Sequence, residues 1–512
     1  MASGGPRPYT GQVRLSARVR ILALLLGACA LTPTGCAKSR GTTVPEPVIP
    51  KSVADLDHFA IGLNQFALLP LDHPRREAFR GVLLDYLVRY MDRTLGEGRA
   101  EEASNALEFA AALWRPVELR GKRRVEPGLT AAAHRVYVAA ARHGEENPAL
   151  FAVAIQQQFG DDAARARATA TWAEIEGWLV RNGSFSDEPV LRHEELEGAI
   201  EETAATFPAP FVVQRLADLY VARYEAAIAA SSSRENPELS VAAQHRAEVT
   251  GYLLTRLYLR ADDFEGAIRS LGRVELDTPT RKLVEFLDGA RAPHKSAGPL
   301  LTLAAQFIPD AAEEGSRIPP AFITQGWGIV ENLARRAVER YPDDAFAHLL
   351  LARSFRQQGL VDAAIVHLDR TVALKSDVFD AWQDLAILKQ SSLERLAGVD
   401  ADAALARVAE LEQFHARAVA LWPGRPVRPG LSEAYFTVGQ GLYELGRVDE
   451  AKHLLEKSAS REPIAEALDL LATIEAKSGA NARAAAHYEA LLNLPFVNQR
   501  TRLRWETQAR MG

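Results

Sequence analysis

After Cys36 the 512-residue chain contains no cysteine. Disulfide staples, thiolate metal sites and a cysteine nucleophile are thereby excluded from everything beyond the amino-terminal segment. Two catalytic signatures are also missing. No Gly-x-Ser-x-Gly occurs, and His193-Glu194-Glu195 lacks the second histidine four residues on that a zincin helix needs. β-Branched and aromatic residues are few beside alanine and leucine, so intrinsic preference favours helix. An excess of positive charge is absent too. The formal net charge is −6, and Arg7, Arg14, Arg18 and Arg20 are the only charges before Cys36. Without residues 1–35 the chain keeps 56 basic against 66 acidic residues, −10 overall. Such an acidic body has no electrostatic footprint for nucleic acid. A hydrophobic fraction of 47% with 25% charged residues is still enough to bury a core.

The amino terminus carries positive charge and no acid over residues 1–20, then an apolar run, Ile21-Leu-Ala-Leu-Leu-Leu-Gly-Ala-Cys-Ala-Leu31, too short to span a bilayer. Residues 1–35 therefore read as an export signal. Leu26-Gly27-Ala28-Cys29 and Pro33-Thr34-Gly35-Cys36 both resemble the bacterial lipoprotein box, in which small residues precede a cysteine that is acylated and becomes the mature first residue. Cys36 is favoured because its apolar run is fuller, and Lys38, Ser39 and Arg40 follow it; Cys29 is the alternative. Several acyl chains would anchor the protein firmly, at about 0.8 kcal/mol per buried methylene. Residues 36–52, with Pro45, Pro47 and Pro50, read as an extended tether. Alanine, not aspartate, follows either cysteine, which by the same resemblance implies the outer membrane.

The body repeats itself. Gly359-Leu-Val-Asp-Ala-Ala364, Gly446-Arg-Val-Asp-Glu-Ala451 and Gly479-Ala-Asn-Ala-Arg-Ala484 each place alanine five residues after glycine; Gly98–Ala103 does the same, and Asp262–Ala267 does so without the glycine. Tyr435, Val438, Gly439 and Leu442 precede one such turn, and Leu455 and Pro463 follow it. Large apolar residues on one stripe, small residues where helices cross and a closing proline describe a helix hairpin. The pattern resembles the 34-residue tetratricopeptide (TPR) repeat. A second unit at 345–378 matches through Leu351, Ala352, Phe355, Gly359, Ala364 and Leu368, and a third at 465–497 through Leu468, Leu471, Ala472, Gly479, Ala484, Tyr488 and Leu491. His348 to Trp382 is 34 residues and Tyr435 to Leu468 is 33, whereas Trp382 to Tyr435 is 53, so the repeat from Phe379 carries an insertion around 390–405 and a proline-containing link at 424–431. Upstream, Gly251–Val274 and Leu84–Pro116 are weaker units. The expected fold is all-α, an α-solenoid of antiparallel helix pairs with the right-handed superhelix that the resemblance implies. It would have a degenerate helical-repeat region at 53–290, a linker at 291–320, TPR repeats at 321–500 and a capping helix at 501–512 that includes Trp505.

Several apparent motifs dissolve on inspection. Gly289-Ala-Arg-Ala-Pro-His-Lys-Ser296 mimics a phosphate loop but has His294 where the second glycine is needed, and follows a helix instead of a strand. Gly439-Gln-Gly441 lies inside a repeat helix and reads as packing. His348, His367, His415, His453 and His487 read as packing or surface residues, and the tryptophans as core. Arg120-Gly-Lys-Arg-Arg124 reads as a solvated basic loop, with acidic lipid or an acidic partner as the sharper option. No metal, cofactor, nucleotide or catalytic set is expected.

By resemblance, partners bind on solvent-facing residues of each first helix. Carried over, these are Arg353, Arg356 and Gln357, then Gln383 and Asp384, then Phe436, Gln440 and Tyr443, then Asp469 and Thr473. The lysine–asparagine carboxylate clamp of TPR co-chaperones is absent. The resemblance implies a non-enzymatic scaffold that holds a peptide or helix of an envelope protein, attached to the periplasmic face of the outer membrane and serving a pilus, secretion or gliding-motility machine. The rivals are a soluble periplasmic protein, an enzyme or glycan-binding protein with its site in 53–320, and a structural spacer. Intact mass and membrane fractionation of Cys36→Ser and Cys29→Ser from the native cell test the anchor: Cys36→Ser should lose the acyl mass and release the protein. Release by neither substitution would refute lipidation.

Overall fold

The computed structural model describes residues 53–494 except 122, 183–188, 232–236, 273, 275–277, 293, 310–319, 428 and 429. The signal, both cysteines, nearly all of the tether, the proposed capping helix and Trp505 lie outside the described residues. The fold is all-α, and no strand occurs among the described residues. The helices are α1 (Leu56–Leu68), α2 (Arg76–Gly96), α3 (Ala100–Ala112), α4 (Pro116–Leu119), α5 (Pro127–His143), α6 (Glu146–Phe159), α7 (Asp162–Asn182), α8 (Pro189–Thr206), α9 (Pro210–Ser231), α10 (Pro237–Arg260), α11 (Phe264–Leu271), α12 (Thr278–Arg291), α13 (Gly298–Ala305), α14 (Pro320–Arg340) and α15 (Ala345–Gln357). They continue as α16 (Val361–Leu374), α17 (Phe379–Ser391), α18 (Leu393–Ala397), α19 (Ala401–Leu421), α20 (Leu431–Glu444), α21 (Val448–Arg461), α22 (Ala465–Lys477) and α23 (Asn481–Leu492). Two compact units divide them, the first running to Leu360 and the second starting at Val361. No described helix is long and apolar enough to cross a membrane.

The repeated turn has a single geometry. Gly98, Gly144, Asp262, Gly359, Gly446 and Gly479 adopt left-handed backbone with φ between 55° and 79°. In each case the next residue donates its N–H to the carbonyl five back, as in Arg99 to Thr94 (2.8 Å), Asp263 to Tyr258 (2.8 Å) and Arg447 to Leu442 (2.8 Å). This is the Schellman closure, which satisfies carbonyls that a helix end leaves open and requires a positive φ. Asp262 occupies the position where the sequence shows no glycine; aspartate tolerates the left-handed region better than most residues. The alanine five residues on is buried in every case: Ala103, Ala149, Ala267, Ala364, Ala451 and Ala484. The turn at Gly144-Glu-Glu-Asn-Pro-Ala149 is not among the units read from the sequence, although it carries the same glycine-to-alanine spacing.

The first unit uses a second, non-local closure. Arginine and asparagine side chains from other helices reach the carbonyls at helix carboxyl ends. Arg76 donates to Leu69 O (3.0 Å) and Arg335 to Ala67 O (2.9 Å), both at the end of α1. Arg80 donates to Leu113 O (3.1 Å) after α3. Arg260 donates to Ala205 O (2.8 Å) and Thr206 O (3.2 Å) at the end of α8, and Asn332 to Leu259 O (3.0 Å) and Arg260 O (2.9 Å) at the end of α10. A cation at a helix carboxyl end gains from the macrodipole as well as from the hydrogen bond. Arg76 and Arg80 are 4% and 2% exposed, so they need counter-charge, and Glu118 pairs with both. Gly328 on α14 makes room for this scheme: a Cβ there would lie 2.5 Å from Arg260 Nε.

The segment 291–320 departs from the expected linker. Helix α13 lies within it and buries Leu300, Leu303 and Ala304, with Phe307 just beyond. Gly298 and Pro299 start this helix instead of breaking the chain; Pro299 stands in its first turn, where a missing N–H costs nothing. The unit boundary accordingly falls at 360/361, inside the repeat drawn at 345–378, and not at 320. The insertion near 390–405 is the short helix α18 followed by the 21-residue α19. It explains Gly441, where a Cβ would meet Ala397 O at 2.3 Å. Not every tryptophan is core. Trp114 and Trp172 are buried, whereas Trp178 and Trp422 are 42% and 53% exposed.

Gly446 has nothing within 4 Å of an added Cβ, so Gly446→Ala isolates backbone strain. It should destabilise the α20–α21 hairpin by about 1 kcal/mol, read by hydrogen exchange of its amides. Gly81, exposed in the interior of α2 with ordinary φ, should gain roughly 0.5–1 kcal/mol as alanine.

Candidate functional site

In the second unit, Phe436, Gln440 and Tyr443 recur at helical spacing on α20, placing them on one stripe. Phe436 and Tyr443 are half-buried against a cluster of Leu455, Ala467, Leu471 and Ile474, while Gln440 is exposed and donates to Glu444 at 3.1 Å. Helix α22 presents Asp469, Thr473 and Lys477 at spacings of four. Lys477 Nζ donates to Tyr443 O–H at 2.7 Å and stands 5.4 Å from that ring's centroid. The two hairpins thus share an amphipathic face: aromatic edges with a cation held at the hydroxyl end of one of them. Sequence reasoning missed Lys477, though its position four residues after Thr473 on the same stripe marks it.

Helix α17 contributes differently from expectation. Asp384 is 5% exposed, so it is covered and not displayed. Gln383 is half-buried, and its Oε1 is enclosed with no hydrogen-bond donor among the described residues; the same holds for Gln390 Oε1, seven residues further on the same face. A buried acceptor left unpaired costs about 1–3 kcal/mol. Gln390 Nε2 is 3.3 Å from Glu433 at the start of α20. Arg353, Arg356 and Gln357 lie on α15 and belong to the first unit. The two arginines are half-buried and already engaged, and Gln357 is exposed.

The basic loop is engaged internally. Arg120 pairs with Asp263 (3.0 Å), Arg123 with Asp162 (2.6 Å) and the Gly160 carbonyl (3.1 Å), and Arg124 with Glu77 (2.5 Å). These arginines tie the loop to neighbouring parts of the first unit while staying partly exposed. Arg124 also holds the Glu77 carboxyl below its usual range, chiefly through their hydrogen bond. The phosphate-loop mimic fails structurally as well, because Gly289 is helical within α12. Gly439 packs where α20 meets α21, its notional Cβ lying 2.9 Å from Leu455 Cγ. Among the described residues no group of His, Cys, Asp and Glu is arranged to hold a metal ion. The first unit does contain an open cavity of about 300 Å³, whose polar lining is Arg120, Gln214, Tyr258, Asp263, Arg269 and Ser270. It holds one carboxylate, Asp263.

No protein-family model matches the chain, and no curated protein is significantly similar to it. Among solved structures it is similar to a thermophilic TPR protein of Thermus thermophilus (18% identity over 42% of this chain and 98% of that one, TM-score 0.21). It is also similar to MamA (17%, 38% and 100%, TM-score 0.23) and to the yeast Tom70 (12%, 89% and 96%, TM-score 0.20). At these TM-scores the neighbours decide nothing alone; the helix-hairpin reading rests on the turns and crossings described above.

His415 on α19 is 6% exposed, and its Nε2 finds no partner among the described residues. Burial, with Arg461 nearby, pulls its pKa down to about 4. The folded protein therefore binds fewer protons than the unfolded chain between the ordinary histidine pKa of about 6.5 and 4. Its contribution to stability is complete above about 6.5 and is lost as pH falls toward 4. His415→Leu should flatten that part of the stability–pH profile, measured by urea unfolding; an unchanged slope would refute the assignment.

Proposed function

We propose that this protein is a non-enzymatic scaffold whose second unit holds a peptide or helix of another protein on the face formed by α17, α20 and α22. The supporting observation is the conjunction on that unit of the half-exposed edges of Phe436 and Tyr443 with the exposed Gln440 and Lys477. An extended or helical ligand has what such a face takes: apolar side chains for the aromatic edges and polar groups for the carboxamide and the ammonium. Helix hairpins in series suit this role because each adds a rigid, solvent-facing first helix without needing a new core.

The finer reading adds a place and a purpose. The apolar run ending at Cys29 or Cys36 supports lipid attachment on the periplasmic face of an outer membrane, with the proline-rich segment as spacer. A protein-binding surface tethered there suits the recruitment of components to an envelope machine such as a pilus, a secretion apparatus or a gliding motor. A soluble periplasmic scaffold differs only in lacking the anchor. A catalytic or glycan-binding role with its site in residues 53–320 is the alternative reading.

Affinity capture of the full chain from detergent-solubilised native cells tests the scaffold reading. The double variant Phe436→Ala, Tyr443→Ala should fold by circular dichroism and lose its captured partner, since truncating two aromatic anchors costs about 2 kcal/mol or more each. A pure spacer predicts the opposite pattern: no effect on capture from those substitutions, and loss of function from Ala451→Leu, which overpacks the buried crossing between α20 and α21.

A further inference from the structure

We infer that the first unit carries a binding site for a small organic oxyanion, a carboxylate or phosphate borne on a compact apolar group, in the cavity between α9, the end of α10 and α11. The cavity is about 300 Å³ and open on one side. That volume is at the small end of ligand pockets and accommodates one ring with an anionic head. Its apolar wall comes from Pro208, Pro210, Val213 and Ala261, with the Tyr258 ring beside them. Its rim carries two guanidinium groups, Arg120 and Arg269, against one carboxylate, Asp263.

The disposition of those charges carries the inference. Asp263 Oδ1 accepts the Gly266 N–H at 3.0 Å, capping α11, and stands 3.0 Å from Arg120 Nη1. Arg120 also donates to the Asp262 carbonyl, so its plane is fixed. Asp263 is thus paired with Arg120, and the cavity lining has one guanidinium more than it has carboxylates. Arg269 is exposed, lines the same cavity and makes no hydrogen bond or ion pair among the described residues. An uncompensated guanidinium beside a concave apolar wall selects a ligand with a planar or tetrahedral oxyanion at one end and hydrocarbon at the other. The buried Ser270 hydroxyl and the Gln214 carboxamide on the same rim add neutral hydrogen-bonding groups. A Cβ on Gly266 would lie 2.5 Å from Tyr258 Cδ1, so α11 sits directly against that ring.

This site is separate from the protein-binding face of the second unit and does not depend on it. Isothermal titration of the full chain with phenyl phosphate, benzoate and benzyl alcohol is the test, repeated on Arg269→Gln. At least one of the two anions should bind at millimolar concentration while the alcohol does not; which anion binds more tightly distinguishes a phosphate from a carboxylate ligand. Arg269→Gln, at an exposed position, should leave the circular dichroism unchanged and weaken anion binding about tenfold or more, as loss of a charge-assisted hydrogen bond does. Equal binding of benzyl alcohol, an affinity indifferent to Arg269→Gln, or no binding of either anion would each overturn the inference.

Discussion

The carbonyl groups at the carboxyl end of an α-helix have no partner within the helix, and in this protein many helices end inside packed structure with only a few residues before the next begins. Every such end must be closed, because a buried carbonyl without a donor loses about 1–3 kcal/mol. The chain closes them in two ways. Where a hairpin turns tightly, a left-handed residue folds the backbone over its own last turn, as at Gly446 and Asp262. Where an end is met by another helix, an arginine or asparagine from elsewhere supplies the N–H, as Arg76 and Arg335 do for α1 and Asn332 does for α10.

This second device shapes the first unit. Helix α14 gives Asn332 to α10 and Arg335 to α1, and α10 gives Arg260 to α8, so helices remote in sequence are bound through their ends as well as their apolar faces. Burying guanidinium groups is costly unless they are paired, and Glu118 offsets that cost for Arg76 and Arg80. The arginine-rich loop near residue 120 follows the same pattern: its cations are fixed by Asp263, Asp162 and Glu77, and by the carbonyl that follows α6. The basic loop that the sequence shows as solvated is also tied by its arginines to the rest of the first unit. Arg269 is the nearby cation left over, and for that reason the cavity beside it has chemistry to offer.

The second unit relies more on local closure and small-residue crossings. Gly439 and Ala451 bring α20 close to α21, and Gly441 admits the end of the inserted helix α18. Phe436 and Tyr443 pack one edge on the same cluster, which includes Leu455 at the Gly439 crossing, and Tyr443 leaves its hydroxyl end beside the exposed Lys477.

The sequence by itself determined the helical class, the hairpins and their turns. Glycine followed five residues later by a buried alanine is a local requirement, set by one φ angle and one helix crossing, and local requirements leave a fixed spacing. It also marked the insertion after Phe379 and the stripe through Phe436, Gln440 and Tyr443. Only the tertiary structure decided that residues 298–305 form a buried helix, that the units part at 360/361, that Asp384 is covered while Lys477 is displayed, and which arginines close which helix ends. Those outcomes depend on contacts between residues tens to hundreds of positions apart, such as Arg335 with Ala67, and an arginine that will cap a distant helix has no local pattern to distinguish it from one that faces water.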